Sequence, residues 1–119
     1  MMDAEKSRLE QFKEFVELDP SDTFSRYALG MEYMGASEYP QALQQFEEVI
    51  RLDPGEPAAY SQAAIAAENL NQIDQARILL QKGIEVATKK GDQHTKEEMQ
   101  AALEKIVDHD PNLDSESES

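Results

Sequence analysis

The side chains able to do chemistry are few. His94 and His109 are the only histidines, both near the C-terminus and away from any glycine-rich loop, and the chain has no cysteine. The absence of cysteine removes thiolate nucleophiles, disulfides and zinc-thiolate sites together. Each imidazole is then read as a surface side chain with no nucleophile to activate. Asp108-x-Asp110-x-Asn112 has the spacing that opens a calcium loop, but Leu113 stands where the turn requires glycine and Ser119 where the bidentate glutamate belongs. Adjacent carboxylates such as Glu47-Glu48 and Glu97-Glu98 point about 100° apart on a helix, so neither pair converges on a substrate. The sequence predicts no catalytic residue, no metal site and no cofactor.

Charge narrows the partners. Asp and Glu number 25 against 11 Lys and Arg, a formal charge of 11 − 25 = −14, of which the last six residues supply only −3. An acidic folded surface repels phosphate backbones and anionic headgroups, which excludes nucleic acid and membrane surfaces and favours basic protein segments. The N-terminus, Met1-Met2-Asp3-Ala4-Glu5-Lys6, lacks an apolar leader core, and no later stretch reaches the length of a membrane span. A cytoplasmic protein of one domain is expected from 119 residues.

The elements that position these residues follow from a repeat. Phe12-Lys13-Glu14-Phe15-Val16-Glu17-Leu18-Asp19-Pro20 lies over Phe46-Glu47-Glu48-Val49-Ile50-Arg51-Leu52-Asp53-Pro54 at an offset of 34 residues. A second shift sets Leu80-Gln81-Lys82-Gly83-Ile84-Glu85-Val86 in phase with both. A fixed period of this length is the mark of stacked helical hairpins.

Apolar spacing within the period is helical throughout. Leu9, Phe12, Phe15 and Val16 share one face of a helix over 4–18, ended by Asp19-Pro20. Ser21 or Asp22 caps a second helix over 22–35, and Ser37 a third over 38–52, with Pro40 in its tolerant first turn. Pro57 opens a fourth, alanine-rich helix. Asn71 is placed to cap a fifth that Gly91-Asp92 ends, and the box Thr95-x-x-Glu98 starts or reinforces a sixth over 93–108. The acidic segment 112–119 has almost nothing to bury and is expected to be disordered.

These residues resemble the tetratricopeptide repeat family, whose 34-residue unit carries W-x2-L-G-x2-Y, A-x3-F and P. Leu29-Gly30-x-x-Tyr33, Ala42-x3-Phe46 and Pro54 match in a first repeat over 23–56, with Arg26 in place of the tryptophan. In a second repeat over 57–90, Tyr60 takes the tryptophan position and Ala76-x3-Leu80 is kept, but Ala63-Ala64 and Ala67 replace Leu-Gly and Tyr. The resemblance implies an all-α solenoid over 1–111: two tandem helix-turn-helix repeats with a flanking helix at each end, six helices in a right-handed stack. Gly30 and Ala42 then allow close helix approach, while Tyr33 and Phe46 fill the remaining wedge.

It also implies a concave face built from the first helix of each hairpin, where Tyr27, Met31, Met34, Ser61, Ile65, Glu68 and Asn69 form an apolar groove with an acidic rim. The expected function is non-enzymatic: capture of a partner segment with apolar anchors and basic residues. The alternative is a self-associating assembly subunit that uses the same patch. Members that grip chaperone C-terminal carboxylates use Lys, Arg and Asn on this face. Here Tyr27, Met31, Ser61 and Ile65 stand there instead, which disfavours that activity.

Overall fold

The computed structural model describes residues 6–109, all helix and turn, with no strand among them. The helices are α1 (Arg8–Leu18), α2 (Thr23–Gly35), α3 (Tyr39–Leu52), α4 (Pro57–Asn69), α5 (Ile73–Lys90) and α6 (Gln93–His109). The acidic segment 112–119, residues 4 and 5 of the expected first helix, and Asp110 and Asn112 of the calcium-loop-like stretch lie outside the described residues.

Among the described residues, Lys6 and Ser7 of the expected first helix lie outside α1, because Ser7 and Glu10 form a capping box that starts the helix at Arg8. Glu10 N–H donates to Ser7 Oγ at 3.1 Å and Ser7 N–H to Glu10 Oε1 at 3.0 Å. Asp22 caps α2 by accepting from Phe24 N–H at 3.1 Å. Glu56 does the same for α4 through Ala58 N–H at 3.2 Å.

Ser37 and Asn71 do not cap the helices that follow them. Both adopt left-handed backbone, with φ of 59° and 62°, and the N-cap positions fall to Glu38 and Gln72, neither of which makes a side-chain cap bond. The physical reason is the end of the preceding helix. Ser37 N–H donates to Met34 O and Glu38 N–H to Tyr33 O, at 3.0 and 2.9 Å, which is the Schellman closure of α2. Asn71 and Gln72 repeat it on Glu68 and Ala67 for α4. Gly91, with φ of 78°, ends α5 in the same way. Helix α6 then starts at Gln93 behind the cap Asp92, whose Oδ1 accepts from Thr95 N–H at 3.1 Å, so Thr95-x-x-Glu98 lies inside the helix instead of opening it.

Each helix packs on the next along the chain, and α4 also meets α6. Two antiparallel pairs, α2–α3 and α4–α5, make up the centre. In the first, Gly30 lies against the Phe46 ring, and a Cβ there would come within 2.6 Å of Cε1. Leu29, Tyr33, Ala42 and Phe46 are buried around this contact. In the second, Ala76 and Leu80 are buried, and a Cβ on Gly83 would meet Met99 Sδ at 2.5 Å and Tyr60 Cβ at 2.7 Å.

Helix α4 is touched by α3, α5 and α6. That explains its alanines: Ala59, Ala63, Ala64, Ala66 and Ala67 are all fully buried, leaving no room for larger side chains at close-packed density. Pro54 differs from the other repeat residues in being exposed. Its part is polar, since its carbonyl accepts from the Tyr60 hydroxyl at 2.8 Å, tying the turn to α4. Phe15 is also exposed, meeting Phe12 edge-on with centroids 5.7 Å apart.

Candidate functional site

Concavities among the described residues lie along α2 and α4, the first helices of the two pairs. The first lies where the start of α2 meets the α3–α4 turn. Phe24, Tyr27, Val49 and Ala58 form its apolar wall, Asp53 and Glu56 its acidic edge, and it encloses about 340 Å³. Phe24, large and apolar, is 75% exposed. Tyr27 is half-buried because its ring meets Phe46 edge-on at 5.5 Å, so it offers only part of its surface.

Electrostatics favour cations at this edge. Burial, then the Glu56 carboxylate, pushes the Tyr27 hydroxyl above the ordinary phenol range. Glu56 is partly engaged, with Lys90 Nζ 3.5 Å away, and Asp53 Oδ1 accepts from Gly55 N–H at 3.2 Å. Both carboxylates still have lone pairs to offer an incoming ammonium or guanidinium group.

The second concavity, about 510 Å³, brings together Ser61, Ile65 and Glu68 of α4 with Glu98, Ala102 and Lys105 of α6. Burial raises the Glu68 carboxyl above the usual carboxylate range, and Lys105 opposes that rise. The third, about 480 Å³, sets Met31 and Glu32 of α2 beside Ser7, Arg8 and Leu9 at the start of α1. Met34 is half-buried against the core, and Asn69 donates to its own helix at Ile65 O, 2.9 Å away.

Of the seven groove residues read from the sequence, Ser61, Ile65 and Glu68 line one concavity together, Tyr27 lines another and Met31 a third. Phe24 is the residue that the sequence reading missed. Its signal was available, because it lies three positions before Tyr27 and so shares that face of α2.

Catalytic features are sparse among the described residues. No group of three or more His, Cys, Asp or Glu side chains could hold a metal ion. His94 is exposed and pairs with Glu98 through Nε2 at 3.1 Å. No helix among the described residues is long and apolar enough to cross a membrane.

This arrangement of stacked helical pairs defines a helical-repeat scaffold. The tetratricopeptide repeat model matches residues 33–106, and the chain belongs to that family. Among solved structures, the tetratricopeptide repeat domain protein from Salinibacter ruber is similar at 34% identity, over 78% of this chain and 94% of that one, with a TM-score of 0.72. PcrH, solved in complex with the chaperone binding region of PopD, is 23% identical over 83% of this chain and 75% of that one, with a TM-score of 0.80. A protein of Bordetella parapertussis is 20% identical over 89% and 92%, with a TM-score of 0.77. The last two likenesses concern the fold alone. Comparison with curated proteins finds no match.

Proposed function

We propose that the chain is a non-catalytic interaction module of the cytoplasm that takes a segment of a partner protein on its concave side. The repeats would be 23–56 and 57–90, with α1 and α6 covering the ends of the stack. The observation that carries the reading is Phe24, an exposed aromatic ring beside Tyr27 over a concavity edged by Asp53 and Glu56. An apolar wall with a carboxylate rim suits a segment that carries an apolar anchor flanked by Lys or Arg. PcrH, which has the same fold, offers a precedent for a bound protein segment. The −14 charge would speed the approach of basic segments and make binding weaken with salt.

Selection from a random displayed-peptide library tests the proposal. Enriched sequences should share an aromatic or aliphatic anchor with Lys or Arg nearby, and Phe24→Asp should lose them. Enrichment without a common anchor, or retention by Phe24→Asp, would remove the concave face from consideration. A concentration-dependent mass that Phe24→Asp abolishes would point to self-association through the same patch.

A further inference from the structure

Helices α1 and α3 carry matching side chains in different surroundings. Gln11, Phe12, Glu14, Phe15 and Leu18 precede Gln45, Phe46, Glu48, Val49 and Leu52 by 34 positions each. In α3 this face is covered by α2. Gly30 lies against the Phe46 ring, Tyr27 meets that ring edge-on, and Arg26 donates from Nη1 to Gln45 Oε1 at 3.0 Å. The Arg26 charge also reaches the Glu48 carboxylate.

On α1 the corresponding positions are exposed, except for Phe12, which is half-buried. Phe15 is 46% exposed where Val49 is 1% exposed, and Leu18 is 82% exposed. Gln11 and Glu14 are exposed as well. Leu9 and Val16 pack towards the core on the other side of α1, and Phe12 lies at the boundary, half-buried against the core and edge-on to the exposed Phe15. Among the described residues, no helix takes the place on α1 that α2 occupies on α3.

We propose that this face of α1 docks a separate amphipathic helix of a partner protein, seated as α2 is on α3. The internal interface states its chemistry: an Arg or Lys to meet Gln11 and Glu14, an aromatic residue next to it, and a small residue three further on, against Phe12. Glu14 is held by Lys6 in an exposed pair, which a partner cation displaces at little cost. The site is distinct from the concavity at Phe24.

A second copy of this chain is a poorer occupant. Helix α6 is the terminal helix on the opposite end, and its cap Asp92 corresponds to Asp22 of α2. Counting from these caps puts Gln100 where α2 has Gly30, and Gln100 is exposed. A glutamine cannot make the close approach onto Phe12 that glycine permits.

The test titrates the full chain with a stapled helical peptide of residues 22–36, the sequence that covers the equivalent face of α3. Saturable binding is expected, weakened roughly tenfold by Phe15→Ser in the protein. Glu14→Lys should weaken it several-fold, and Arg26→Glu in the peptide should restore it. Circular dichroism should show both variants as helical as the wild type, since both sites are exposed. Absence of binding to a helical wild type, or binding unchanged by Phe15→Ser, would overturn the proposal. So would a dimer of the wild-type chain that Phe15→Ser dissociates, because the occupant would then be a second copy.

Discussion

Gly30 and Phe46 touch so closely that the pair leaves no space for a methyl group between α2 and α3. Alanine is the better helix former by about 1 kcal/mol, but an overpacked core contact costs about 1–3 kcal/mol. Phe46 is fully buried, and its ring has nowhere to swing. Gly30→Ala should therefore lower stability by up to about 2 kcal/mol, read as a fall in the urea midpoint at unchanged slope. An unchanged or higher midpoint would mean that the hairpin adjusts its helix separation freely.

Ser37 and Asn71 occupy the left-handed position that closes α2 and α4, while Gly91 closes α5. A side chain with a Cβ pays about 1 kcal/mol there, and asparagine less than serine. Ser37→Gly should raise the thermal midpoint, and Asn71→Gly should raise it by a smaller amount. A fall in the Ser37→Gly variant would show that the serine side chain contributes more than the backbone strain it carries.

Tyr27 lines the first concavity, and Tyr60 is influenced by Asp53 at its edge. Burial first, then Glu56, raises the Tyr27 pKa, and burial first, then Asp53, raises that of Tyr60. A raised phenol pKa favours the neutral form in the folded chain. Up to the ordinary value near 10 neither state ionises; above it the unfolded chain ionises first, and stability falls as pH rises. Ultraviolet titration should place Tyr27 and Tyr60 above the ordinary range, and Glu56→Gln should move Tyr27 back down while leaving Tyr60 in place. If Tyr27 titrates normally in the wild type, Glu56 does not shape the site as described.

The fold was readable because its determinants are periodic. Ala42-x3-Phe46 and the Asp-Pro turns recur in phase, and Gly30 marks the place where two helices come closest. The helix ends were less readable, because a serine or asparagine between two helices suits both the cap of the next helix and the left-handed end of the last. Only the hydrogen bonds to Tyr33 and Ala67 separate the two roles. The exposure of Phe15 and Leu18 was hidden for a related reason: their pattern is that of a packed helix, and whether a neighbour is present is not a property of the pattern.

The candidate site was readable only in part. Family positions placed Tyr27, Met31 and Ile65 on one side of the stack. They did not reveal that Phe46 takes up part of the Tyr27 ring, or that α6 closes over Ser61 and Glu68.

The most direct test of the interaction proposal is a set of amide nuclear magnetic resonance spectra of the chain recorded with and without a library-selected peptide. Binding on the concave side predicts shift changes centred on Phe24, Tyr27, Asp53, Glu56 and Ala58, all lost in Phe24→Asp. Changes centred instead on the exposed Ile78 of α5, or on Phe15 and Leu18 of α1, would contradict it.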